Sequence, residues 1–191
     1  MNPVEILPGV QWVGVLDPQL RVFDVIMEAK HGTTYNSYLV RGRDKVALID
    51  ASKAAFAKTF LDTLRPAIEL AAIDYMVCNH LEPDHSGALA DVLDVAPQAQ
   101  VVATKPGRML LRAILNRDIK PMIAGEGDRI DLGGKTLRFI PAPFLHWPDT
   151  MFTYLEEDQV LFSGDFLGAH YCDPKQKTAY EIHSGDWSSD V

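Results

Sequence analysis

The feature that most limits what this chain can fold into is the run Asn79-His80-Leu81-Glu82-Pro83-Asp84-His85, which directly follows a brief apolar strand at Tyr75 to Cys78. Four groups able to ligate a metal stand within six positions, His80 to His85. Side chains two apart in an extended chain share a face, so His80 and Glu82 can meet one ion. Asp84 and His85 are adjacent, and a turn can aim both at a second ion close by. Pro83 stiffens the backbone between the pairs. The cluster follows a buried strand, which puts it at the strand's C-terminal end, a usual place for sites in α/β proteins.

Two later positions suit the same site. His146 lies in Phe144-Leu145-His146-Trp147-Pro148, after a strand ending at Ile140. Asp165 ends Val160-Leu161-Phe162-Ser163-Gly164-Asp165, again just past a strand. A carboxylate there can bridge two ions with its two oxygens.

Hydrophobic patterning supplies the frame. Strands are expected at Val10 to Val15, Val22 to Met27, Tyr35 to Val40 and Lys45 to Ile49. Ala54 to Leu64 is rich in helix formers, and Pro66 follows its end. Ser86 is expected to cap a helix running through Leu93. Gln100 to Ala103 reads as a strand and Met109 to Leu115 as part of a helix. Past Pro121 come strands at Arg129 to Leu132, Thr136 to Ile140, Met151 to Leu155 and Val160 to Phe162, the last two joined by the turn Glu156-Glu157-Asp158-Gln159. Strands, then alternating strand and helix, then strands again suit two packed sheets with helices outside.

The pattern HxExDH, with His146 and the Ser163-Gly164-Asp165 segment after it, resembles the flavodiiron proteins, also called A-type flavoproteins. The likeness extends to His31-Gly32-Thr33-Thr34-Tyr35-Asn36-Ser37-Tyr38-Leu39, to Leu48-Ile49-Asp50, to Pro143 through Tyr154, and to Asp165-Phe166-Leu167-Gly168-Ala169-His170-Tyr171. It implies an α/β (α+β) metallo-β-lactamase-like αββα sandwich, with residues 1–191 as one diiron domain. In that family, residues matching His80, Glu82, His146 and Asp165 bind one iron. Those matching Asp84, His85 and Asp165 bind the other, with one more His downstream. The activity implied is reduction of dioxygen to water, of nitric oxide to nitrous oxide, or both. Electrons would come from a flavodoxin- or rubredoxin-type donor, and a head-to-tail homodimer is the family's assembly.

Around these ligands the resemblance implies supporting roles. Asp50, ending a strand beside the site, is expected to hold a ligand or backbone group. His170 is expected to shape the pocket or donate a hydrogen bond, His31 to lie structurally or near the pocket entrance, and Tyr35 to support the loops. The family's last His ligand and its flavodoxin-like FMN domain lie beyond the Asp165 segment. This sequence stops at Val191 without a flavodoxin domain. The fold is therefore expected to be incomplete at its C-terminal end, with FMN on a separate domain or partner. His183, in Glu181-Ile182-His183-Ser184-Gly185, does not look like the family's ligand loop.

Glu82 sets the expected metal. Related hydrolases usually read HxHxDH, and a carboxylate in place of the second His is a harder ligand that favours iron or manganese over zinc. Two ferrous ions would be balanced by Glu82, Asp84, Asp165 and one hydroxide. A zinc hydrolase of the same superfamily, or a non-catalytic metal-binding remnant, stands as the alternative.

Composition excludes other classes. With 47% hydrophobic and 23% charged residues, the chain is that of a globular protein. A net charge of -8 does not suit nucleic acid, whose phosphates need clustered Lys and Arg. No apolar run approaches the ~20 residues that span a bilayer, and the opening residues lack a signal-peptide pattern. A cytoplasmic location is expected. Cys78 and Cys172 suggest no disulfide framework.

Overall fold

A computed structural model describes residues 2–172. Along the chain run β1 (Val4–Leu7), β2 (Val10–Trp12), β3 (Val15–Asp17), β4 (Val22–Phe23), β5 (Met27–Glu28), β6 (Thr33–Tyr35), β7 (Tyr38–Arg41) and β8 (Val46–Ile49). Then come α1 (Ala57–Leu64), β9 (Tyr75–Val77), α2 (Pro83–Ser86), α3 (Leu89–Val95), β10 (Gln100–Ala103) and α4 (Lys105–Leu115). The last are β11 (Met122–Ile123), β12 (Arg129–Asp131), β13 (Thr136–Pro141), β14 (Met151–Leu155) and β15 (Val160–Phe162).

Two sheets carry the fold. The first has seven strands in the order β1-β2-β7-β8-β9-β10-β11, and the second has four, β12-β13-β14-β15. From β8 to β11 neighbouring strands run parallel, and a parallel sheet needs cover on both faces. Every residue of β8 is accordingly buried. Leu48 and Met76 face the helices, packing with Phe60, Leu89 and Leu111. Ala47, Ile49, Val77 and Val102 face the second sheet and meet Leu137, Phe139, Met151 and Leu155. Burying each Leu or Phe stabilises by roughly 1.5–3 kcal/mol. Helix, sheet, sheet is thus the layer order of the described residues, three of the four layers of the expected αββα sandwich.

Three local expectations are corrected, and one helix is extended. Val22 to Met27 is not one strand. β4 and β5 pair antiparallel, Val22 with Glu28 and Phe23 with Met27, around a turn in which Asp24 and Val25 adopt positive φ. The run packs against little, leaving Val25 and Ile26 91% and 87% exposed, so no core face holds it flat. Ser86 caps nothing. Pro83 opens α2 at its first turn, where a missing N–H is harmless, and the Ser86 hydroxyl donates back to the Leu81 and Glu82 carbonyls. The strand expected from Val10 to Val15 breaks at Val13-Gly14, where the Gly14 backbone lies so close to the Tyr35 carbonyl that a Cβ would stand 2.2 Å from its oxygen. The last helix starts earlier than Met109, because the Thr104 hydroxyl accepts from the Gly107 N–H and caps α4 at Lys105.

Candidate metal centre

The site lies where the C-terminal ends of β8 and β9 approach those of β13 and β15. Asn79, the first residue of the cluster, fastens the two sheets. Its side-chain amide donates to the Phe162 carbonyl at 3.0 Å and accepts from the Thr153 hydroxyl at 2.6 Å. Its carbonyl accepts from the Met151 N–H, and its own N–H donates to Asp50 Oδ1 at 2.8 Å. Asp50 adopts φ +55, a conformation Asp tolerates better than most residues. The loop after β8 clasps the ligand turn further, the Ala51 N–H donating to the His85 carbonyl and the Ala88 N–H to that of Ser52. Gly87 permits this approach, since a Cβ there would meet the Ala54 nitrogen at 2.3 Å.

The six expected ligands are brought together as two groups that share one member. His80, Glu82, His146 and Asp165 form the first, and Asp84, His85 and Asp165 the second, with ligand atoms within 4.8 Å of one another in each. Glu82 points inward, Oε2 lying 3.2 Å from His80 Nε2 and 3.5 Å from His146 Nε2. Asp165 reaches both sides, with Oδ1 at 2.8 Å from His85 Nε2 and Oδ2 at 3.4 Å from His146 Nε2. His85 Nε2 is also 3.7 Å from Asp84 Oδ2. His146 is aimed by a tight loop in which Phe144, at φ +66, donates its N–H to the Trp147 carbonyl.

Three carboxylates and three imidazoles directed at one another are short of positive charge. Burial resists charging His85, but Asp165 and the nearby Asp50 outweigh it and hold its pKa well above the usual value. For His80, burial is outweighed by Asp149 and Glu82, and the pKa is again raised. Asp84 is raised chiefly by burial. Asp165 is lowered, because the imidazolium of His85 overcomes its desolvation. Protons thus take the place that cations would fill. Asp84 Oδ1 is buried with no hydrogen-bond partner, a cost that a metal would remove. The donor set, O-rich with imidazole nitrogens, fits iron or manganese better than zinc.

The expected supporting residues fall into two kinds. Asp50 is at the site, 3.7 Å from His85 Nδ1. Tyr35, His170 and His31 are in neither ligand group. The buried Tyr35 hydroxyl donates to Asp17, and burial with that carboxylate pushes its pKa up. His170 Nδ1 lies 3.0 Å from the Thr33 hydroxyl, and its ring packs on Phe23 at 4.4 Å. The His31 carbonyl accepts from the Cys172 N–H. The segment 165–172 is thereby tied to the start of the chain. His183 lies outside the described residues. Sequence reasoning missed Asp149, whose only signal is an acid three places after His146. The Trp147 ring stands edge-on to His80 at 5.1 Å.

Comparisons with known proteins identify relatives of this sequence and fold. The model of the family described as ODP family beta lactamase matches residues 33–188. Flavo-diiron protein FprA2 of Clostridium acetobutylicum is 46% identical over 177 residues, which is 92% of this chain and 44% of that protein. The solved flavodiiron protein of Giardia intestinalis is 35% identical with a TM-score of 0.86, covering 92% of this chain and 42% of that one. Rubredoxin oxygen:oxidoreductase from Desulfovibrio gigas is 30% identical, also with a TM-score of 0.86, over 90% of this chain and 43% of that one. The chain spans less than half the length of these relatives.

Proposed function

The chain belongs to the ODP family of β-lactamase-like domains, in the flavodiiron (A-type flavoprotein) group, and from that premise we propose that it is the diiron core of an oxidoreductase that reduces dioxygen to water, nitric oxide to nitrous oxide, or both. His80, Glu82, His146 and Asp165 would hold one iron, and Asp84, His85 and Asp165 the other. The observation that carries this reading is the sharing of Asp165 by the two ligand groups, which would keep the ions close enough to act on one substrate. Bound there in reduced form, an iron pair supplies one electron per metal.

The chain's own groups do the rest. Glu82, 6% exposed, adds a second carboxylate beside Asp165 in the first group and separates this site from the more imidazole-rich zinc centres. The edge of Trp147 covers the flank of the His80 ring. His146 and Asp165, each about one-third exposed, would leave the side by which gas and electrons reach the ions. A flavodoxin- or rubredoxin-type donor would meet that side, with FMN on a separate domain or partner, in the cytoplasm and in a homodimer. Among the described residues no helix is long and apolar enough to cross a membrane.

Elemental analysis with Mössbauer spectroscopy, on protein from iron-replete cells, tests the reading. Two coupled irons per chain that are oxidised anaerobically by nitric oxide, or by added dioxygen, support it. Zinc in their place with hydrolysis of an ester or thioester would transfer the chain to the hydrolases. Metal binding without oxidation by either gas would leave a non-catalytic remnant.

A further inference from the structure

His80 is held from the side away from the ligand group. Its Nδ1 lies 3.3 Å from Asp149 Oδ2, and the same oxygen accepts the Leu81 N–H at 2.9 Å. Asp149 is itself fixed. It is 1% exposed, and its carbonyl accepts from the hydroxyl of Thr104, the residue that caps α4. Trp147, two residues before Asp149, closes the ring's flank edge-on. The carboxylate's other oxygen, Oδ1, is buried with no partner. A buried carboxylate with an unpaired oxygen costs free energy, so its retention calls for a compensating role that the Leu81 N–H alone does not supply.

We infer that Asp149 is a positioning residue for the first metal: its carboxylate takes the His80 Nδ1–H and so turns the Nε2 lone pair toward Glu82, His146 and Asp165. The inference rests on the metal-site reading above. Partners of this kind fix the ring's tautomer and orientation and raise its basicity as a ligand. They also answer the charge that a cation at Nε2 would impose on the ring. The two groups differ here. The His85 Nδ1 has no hydrogen-bond partner, its nearest carboxylate oxygen being Asp50 Oδ2 at 3.7 Å. On the side away from the ligand atoms the His80 ring is hydrogen-bonded, whereas the His85 ring there faces Asp50 without a hydrogen bond. Asp149 also joins the loop that carries His146 to the segment that carries His80, so one residue sets two ligands of the same ion.

The full chain is titrated with Co(II), whose visible bands report each coordination site, and with diamagnetic Zn(II) for imidazole ¹⁵N spectra. In the wild type, the Zn(II) form should show His80 with a hydrogen-bonded proton on Nδ1. Asp149→Ala should weaken the first ion roughly 10- to 100-fold, leave the second within a factor of about two, and abolish that proton signal. Asp149→Asn keeps an oxygen for both N–H groups but no charge, and should fall between. It carries the test alone should the alanine variant not fold. Equal weakening of both ions, no weakening of either, or a wild-type His80 ligating through Nδ1 would overturn the assignment. A chain that takes up Co(II) and Zn(II) as expected but refuses iron would sink the reductase reading and leave Asp149 standing. A wild-type chain that binds neither ion overturns both.

Discussion

His80, Glu82 and His85 enter the centre from the first sheet with side chains 2%, 8% and 8% exposed, whereas His146 and Asp165 enter from the second with 36% and 35%. The first set stands on a strand end and a proline-opened turn, locked by Asn79, Asp50 and Asp149. The second set hangs on two loops. The buried set is built before any metal arrives, because the sheet's own hydrogen bonds hold it. The exposed set holds Asp165, the member common to both ligand groups. Under the proposed function, gas and electrons would enter on that exposed side.

The comparison breaks most visibly at Asp165. Asp165→Ala should leave the fold intact, since the residue is partly exposed, yet lower the affinity for both ions by more than ~100-fold, because it removes a ligand where loss of a mere supporter already costs 10- to 100-fold. Metal content after desalting checks this, and loss of only one ion would refute the shared-ligand geometry. Next is the fastening itself. Asn79→Leu strands the Phe162 carbonyl and the Thr153 hydroxyl in the buried seam and should destabilise by about 3 kcal/mol, read from denaturant melts with the two ligand groups uncoupled. A neutral result would mean that the sheets register without it.

The raised pKa values of His80 and His85 give a third test. In the metal-free chain their protonation stabilises the fold fully below the unfolded imidazole value of about 6.5, and this is lost as pH rises through the raised folded values. Metal binding needs the neutral rings, so affinity should climb with pH over the same range, by roughly tenfold per pH unit for each proton displaced. Thermal melts with and without Zn(II) should therefore diverge as pH rises; parallel curves would rule out proton displacement. The smallest expected effect is at Glu82→His. The pocket should keep two ions but shift its preference toward zinc over iron by about tenfold, measured by competition.

Much of the site was legible because its donors are dense along the chain. His80 to His85 fall within one turn, and His146 and Asp165 each follow an apolar strand that points to the same end. Elements were legible where a strand has a buried face, one in β13 and both in β8. They were misread where burial is lacking, as at Val22 to Met27, or where a close contact from elsewhere intervenes, as at Gly14 against Tyr35. Asp149 stayed hidden because an acid in a loop carries no periodicity. Its role exists only once α4 and the His80 segment have packed around it.

The sequence by itself determined which groups are present and in what local order: a carboxylate where zinc hydrolases carry imidazole, a proline between two ligand pairs, and apolar runs long enough to make two sheets. These depend on residue type and on neighbours a few positions away. Tertiary structure alone decided that Asp165 touches both groups, that Asn79 ties the sheets, and that Asp149 rather than Asp50 bonds the ring of His80. Most of those contacts join residues 29 to 83 positions apart. Their free energy comes from burying the two sheets against each other, which no local pattern encodes.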